Sequence, residues 1–106
     1  MPPMIVIVRA KAKKGSEVLL EKAVKAVMPL THKEEGCLKY TLNRSLEDPT
    51  QFAMVEKWVS KEALDKHLAS PYIQDLFKKL PDLLAAPIEL QAFQSIPEGS
   101  PEKSNI

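Results

Sequence analysis

The stretch from Cys37 to Val59 reads CLKYTLNRSLEDPTQFAMVEKWV, two β-patterned halves around a polar turn. The first half predicts a strand over Cys37 to Arg44, with Leu38, Tyr40 and Leu42 sharing one face. Glu47, Asp48, Pro49 and Thr50 supply the turn, where proline presets its own φ and aspartate bonds the nearby backbone. The second half, Gln51 to Val59, sets Phe52, Met54, Glu56 and Trp58 against Ala53, Val55, Lys57 and Val59. Both faces of this return strand are largely apolar, so it requires cover on both sides.

Upstream of the hairpin, Gly36 ends a helical pattern running from about Ser16 to about Lys33. Within it Leu19, Leu20, Ala23, Val24, Val27 and Leu30 recur at helical spacing, with Glu21, Lys22 and Lys25 opposite. Ser16 is placed to cap this helix, and Glu17 to complement its dipole. Before the break at Gly15, Met4 to Ala12 begins with the β-branched run Ile5 to Val8 and reads as a first strand.

Downstream, Ser60 caps a short helix over Lys61 to about Ala69. Ser70 and Pro71 then start another, whose apolar stripe is Tyr72, Ile73, Leu76, Phe77 and Leu80. Pro81 is expected to interrupt that helix near Lys79, leaving Leu83 to Ala86 as a loose turn before a last strand over Pro87 to Gln94. One domain over residues 1–96 and a disordered tail over residues 97–106 are expected.

Strand, helix, strand, strand, helix, strand is the order of an α+β, ferredoxin-like βαββαβ domain, a four-stranded antiparallel sheet with its helices on one face. Helices on one face cannot cover strands that are apolar on both. A second copy of the sheet is the economical cover, with Ala53, Val55 and Val59 facing it, so a homodimer is expected.

The composition narrows the function. Of 106 residues, 15 are Lys or Arg and 14 are Asp or Glu, interleaved to a net charge of +1. With no basic stripe, neither nucleic acid nor an anionic membrane is an expected partner. No run approaches the length of a membrane span and no signal-type segment opens the chain, so a cytoplasmic protein is expected. Cys37 is the single cysteine, read as a packed thiol, and the two histidines stand far apart, so no metal site is expected. Three isolated glycines offer no phosphate-cradling loop for flavin or nicotinamide, and no cofactor is expected.

From Glu35, Gly36, Cys37, Leu38 and Tyr40, through Glu47, Asp48, Pro49, Phe52, Val55, Glu56 and Trp58, to Ala63, Leu64, His67, Leu68 and Ser70, the chain resembles the antibiotic biosynthesis monooxygenase domain family. That resemblance spans about residues 4 to 95 and includes the small quinol monooxygenases. It implies a dimeric α+β barrel with a cavity between each monomer's sheet and helices. It also implies oxidation of a small aromatic quinol or polyphenol by dioxygen. The family holds haem-degrading enzymes too, which use a histidine in the second helical region; this chain has none between Ala69 and Ala86.

His67 follows Ala63 and Leu64 on an apolar helix face, and its pKa class suits proton transfer near neutrality. It reads either as a core histidine bonded to a carbonyl or as a general base. His32, at the end of the first long helix, reads as a solvated residue complementing the helix terminus. Glu56 sits beside Phe52, Met54 and Trp58, where an unpaired carboxylate is costly. It is therefore protonated, bonded to His67 or Tyr40, or paired with a cation. In the reading that the resemblance implies, His67 is the base and Glu56 its partner. Tyr40, Trp58, Phe52 and Phe77 then bind the aromatic ring. The same pair could instead serve an isomerase or processing enzyme for a small carbonyl or signalling compound, and a ligand-binding dimer without catalysis is the third reading. Asn43, of opposite parity to Tyr40, stays outside the site.

Overall fold

The computed structural model describes residues 3–106, so the first two residues of the domain assigned to 1–96 lie outside the described part. Eight elements follow in order: β1 (Met4–Lys11), α1 (Glu17–His32), β2 (Cys37–Arg44), β3 (Gln51–Trp58), α2 (Lys61–Ala69), α3 (Pro71–Leu83), β4 (Glu89–Gln94) and α4 (Pro101–Ser104). The strands form one antiparallel sheet in the order β2-β3-β1-β4, the ferredoxin-like arrangement. No helix is long and apolar enough to cross a membrane among the described residues.

Register puts Val6 opposite Glu56, Val8 opposite Met54 and Ala10 opposite Phe52, while Tyr40 pairs with Glu56 across β2 and β3. These residues share the face that packs against Leu20, Val24 and Val27 of α1, Leu64 of α2, and Ile73, Leu76 and Leu80 of α3. Period-two and period-3.6 patterning therefore meet in one core. The opposite face carries Ile7, Ala53 and Val55, all half-buried, with Thr41, Arg9 and Phe93 around them. Every residue of β4 is exposed, since the helices stop short of that edge.

The structure departs from the expected pattern at several points. Leu38 does not share the face of Tyr40 and Leu42: the ladder slips between Cys37 and Lys39, leaving Leu38 as an extra, 47% exposed residue. Pro81 does not end α3, which runs on to Leu83 and closes with the Leu84 amide on the Leu80 carbonyl at 2.9 Å. Proline near a helix end removes a single hydrogen bond, and Leu80 and Leu83 both pack on the core to hold that turn. β4 begins at Glu89 rather than Pro87, because the preceding chain is tied to the end of β1 instead: Ala85 N–H donates to the Lys11 carbonyl, and Lys13 N–H to that of Leu83, each at 2.8 Å. Ser16 makes no side-chain cap, whereas Ser60 Oγ accepts from the Ala63 amide at 3.1 Å.

Gly36 matters through proximity. A Cβ built there would lie 2.3 Å from Cβ of Ala63, so the start of β2 and the helix α2 touch at a point where only hydrogen fits.

Candidate active site

His67 stands in the last turn of α2 with its side chain 4% exposed. Its ring lies over Trp58 with centroids 4.6 Å apart, and 5.9 Å from the ring of Tyr40. Ser70 closes α2 and opens α3, and its hydroxyl donates to the His67 carbonyl at 2.6 Å. That corner fixes both His67 and, two residues on, Tyr72.

The carboxylate that reaches His67 is Glu34, not Glu56. Glu34 lies just past the end of α1, and its Oε2 is 2.7 Å from Nδ1 of His67. The same oxygen accepts from the Tyr72 hydroxyl, which also lies 3.2 Å from Oγ1 of Thr31. Thr31 is fully buried and has one hydrogen to offer, to the Val27 carbonyl at 3.1 Å or to Tyr72. Burial, together with the bond to Glu34, pushes the Tyr72 phenol up to about 12, so it remains a donor at neutral pH.

An ionised carboxylate only accepts, so the Glu34 bond assigns the proton of the neutral imidazole to Nδ1. The lone pair of Nε2 is then left without a hydrogen bond among the described residues. His67 is therefore oriented, and its basic nitrogen is unoccupied.

Glu56 occupies the other side of the site and is 3% exposed. The indole Nε1 of Trp58 donates to its Oε1 at 2.8 Å. Burial pushes the Glu56 carboxyl up to about 7; the indole bond opposes that rise and the negative charge of Glu34 adds to it. A carboxyl so placed is part acid, part carboxylate at neutral pH. Burial also raises the Tyr40 phenol, and it pushes the Cys37 thiol up to about 11.

Tyr40, Glu56 and His67 are the three polar side chains facing an otherwise apolar cavity of about 40 Å³. Leu76, Phe77, Leu80 and Ile88 close it on the α3 side. Four of the six expected site residues thus come together: His67, Glu56, Tyr40 and Phe77. Trp58 is fully buried beneath His67 and lines no part of the cavity. Phe52 also lies outside the cavity lining, toward the turn end of β3, where Arg44 stacks on its ring at 5.7 Å. His32 is exposed at the end of α1, with Nε2 2.9 Å from the Tyr40 carbonyl.

Glu34, Tyr72 and Thr31 were not singled out by patterning. Glu34 is 33 residues from His67 and lies beyond the helical periodicity, while Tyr72 reads as one more apolar-stripe residue. The usable signal was Ser70-Pro71, which starts a helix close enough to His67 to bring Tyr72 beside it.

The chain is similar to several known proteins. The chain is 28% identical over 98 residues to "Putative monooxygenase Rv0793" of Mycobacterium tuberculosis, covering 92% of this chain and 96% of that protein. It is 29% identical over 83 residues to "Putative monooxygenase YcnE" of Bacillus subtilis, covering 78% and 85% respectively. An uncharacterized Synechocystis protein, sll1783, is 34% identical over 61 residues, 58% of this chain, and the match spans 42% of that relative's length. Among solved structures, PA3566 from Pseudomonas aeruginosa superposes with a TM-score of 0.86 at 24% identity, covering 92% of this chain and 97% of that one. Rv0793 superposes with a TM-score of 0.85 at 26% identity, covering 92% and 99%. The family model described as antibiotic biosynthesis monooxygenase matches residues 3–79, a span that runs from β1 into α3 and holds Glu34, Tyr40, Glu56, His67 and Tyr72 together. The chain belongs to the antibiotic biosynthesis monooxygenase family.

Proposed function

We propose that the protein is a cofactor-independent monooxygenase that oxidises a small aromatic quinol or polyphenol with dioxygen. The observation that carries this reading is the buried His67, its Nδ1 held by Glu34 and its Nε2 left unbonded beside an apolar cavity. Nε2 removes a proton from a ring hydroxyl, and Glu34 stabilises the imidazolium that results. The phenolate formed is electron-rich enough to reduce dioxygen directly. For a simple hydroquinone, one oxygen atom enters the ring and the other leaves as water. The ring supplies four electrons and ends as a hydroxyquinone. Exclusion of water by Leu76, Phe77, Leu80 and Ile88 protects the reactive intermediates. Tyr40 and Glu56, both protonated in part or whole at neutral pH, are placed to donate hydrogen bonds to the developing oxyanions.

Oxygen-electrode measurements with a panel of quinols, without added metal or flavin, test this reading. Oxygen uptake that follows protein concentration is expected; none with any quinol overturns it.

A second reading rests on Glu56. A carboxyl pushed to about 7 beside an imidazole suits proton shuttling in the isomerisation of a small carbonyl compound. Such an enzyme would turn over equally well without air, which separates the two readings.

The working unit is proposed to be a homodimer, joined through the sheet face of Ile7, Ala53 and Val55. Val55→Asp would bury an unpaired charge there, at a cost of several kcal/mol. Sedimentation should show the dimer dissociated or the chain unfolded, and a wild-type monomer at micromolar concentration would refute the assembly.

A further inference from the structure

Beyond the partition formed by Phe77, Leu80 and Ile88 lies a second, open groove of about 490 Å³. Those three residues line both spaces, so the groove is the outer side of the same wall that closes the cavity beside His67. Leu84, Ala85 and Pro87 complete it, and no polar side chain lines it. Two of its backbone donors are occupied as well: Leu84 N–H bonds the Leu80 carbonyl and Ala85 N–H the Lys11 carbonyl. A polar group buried there would find no side-chain partner, whereas an apolar one would lose only water.

The inner cavity is too small for its proposed task. An apolar cavity needs about 150 Å³ to hold a benzene-sized ring, and this one measures about 40 Å³. A ring placed with its hydroxyl at His67 must displace part of the wall. The partition facing the groove is the side with room behind it. Phe77 and Ile88 are its half-buried members, and Phe77 is the one carried on α3, between the buried Leu76 and the exposed Lys78.

From this continuity we infer that Phe77 is a gate and that the groove beyond it is a subsite for an apolar tail. The substrate class is a hydroxylated aromatic ring carrying a hydrocarbon substituent of several carbons, head at His67 and tail along Leu84, Ala85 and Pro87. The inference rests on the reading of the inner cavity as the ring site, and it goes beyond that reading in assigning the tail. A second copy of the chain could otherwise occupy the groove, and the test distinguishes this.

The probes are 4-alkylphenols from methyl to hexyl, with binding read from the fluorescence of Trp58, the single tryptophan of the chain, which underlies His67. Affinity is expected to rise about fourfold for each added methylene, the factor that burial of one such group supplies. Ala85→Glu places a charge on an exposed position of the groove, and should bring the hexyl-to-methyl affinity ratio close to one. Phe77→Ala removes the gate and should tighten every member of the series. The inference is overturned by affinity independent of chain length, by failure of the hexyl compound to bind, by an unchanged length dependence in Ala85→Glu, or by a change of oligomeric state in that variant. Length-dependent binding without oxygen uptake from any quinol would remove the oxygenase reading and leave the subsite. Oxygen uptake with length-independent binding would do the reverse.

Discussion

Two carboxylates flank His67, and their surroundings give them opposite characters. Glu34 sits at the loop end of α1, 23% exposed, and receives two donors on one oxygen, from His67 and Tyr72. Glu56 lies in the middle of the sheet, nearly inaccessible, with one indole donor and a carboxyl pushed up to about 7. Donor count and hydration separate them: Glu34 is partly hydrated and accepts the bonds that orient His67 and Tyr72, while Glu56 is held in a dry site that favours its protonated form. Identical chemistry in the chain thus becomes a hydrogen-bond acceptor for the imidazole in one place and a titrating acid in the other.

Removing the residue between them should have the largest effect. His67→Ala is expected to lower oxygen uptake by roughly 100-fold or more, the scale of a lost general base. It should also cost about 1–3 kcal/mol of stability, since Glu34 loses a partner in a largely buried setting. A destabilised variant with full activity per folded molecule would remove His67 from the chemistry.

Glu56→Gln comes next, and pH is the variable that exposes it. The folded-state carboxyl binds its proton more tightly than the ordinary value of 4.5, so its stabilising contribution is complete below about 4.5 and is lost as pH climbs through about 7. The wild-type protein should therefore lose up to about 3 kcal/mol between pH 5 and pH 8 that the glutamine variant keeps. Urea unfolding at both pH values measures the difference. Equal pH dependence in the two proteins would mean that Glu56 is ionised throughout.

Glu34→Gln should act on rate more than on stability. The amide still reaches His67, but without the charge that favours the imidazolium, and activity is expected to fall roughly tenfold with the melting temperature nearly unchanged. Activity identical to wild type would confine Glu34 to packing.

Tyr72→Phe should have the smallest effect. It removes one donor to Glu34 and leaves Thr31 bonded to Val27, for a cost of about 1 kcal/mol, or roughly 4–8 °C in melting temperature for a domain of this size. A loss as large as that of His67→Ala would show that the phenol takes part in proton transfer.

The βαββαβ order was legible because burial writes itself into the chain with fixed periods: two across Phe52, Met54, Glu56 and Trp58, and near 3.6 across Leu20, Val24 and Val27. The site was legible only in part. His67 and Glu56 stand out as polar residues on apolar faces, and the structure sets both on the cavity. Their pairing with one another did not follow, because which carboxylate meets an imidazole depends on how a loop after α1 returns over α2. Periodicity carries no information on that. The parity of β2 failed at Leu38 for a related reason, since a bulge inserts a residue without any change in composition. Phe52 shares a face with Trp58 by period two, yet face is not position along the strand, and it ends near Arg44 rather than His67.

The contact at Gly36 bears on how this protein can vary. Glu34 lies two residues before it, and the atom an added Cβ would strike is Cβ of Ala63, one turn ahead of His67 on α2. Any side chain at position 36 must therefore wedge α2 away from the loop that carries Glu34, and the 2.7 Å bond between base and carboxylate lies directly in the path of that displacement. A residue with no functional group thus sets a tolerance limit on the proposed catalytic pair. Random mutagenesis scored by activity should mark Gly36 as intolerant, and scored by solubility alone it should pass the same position far more often.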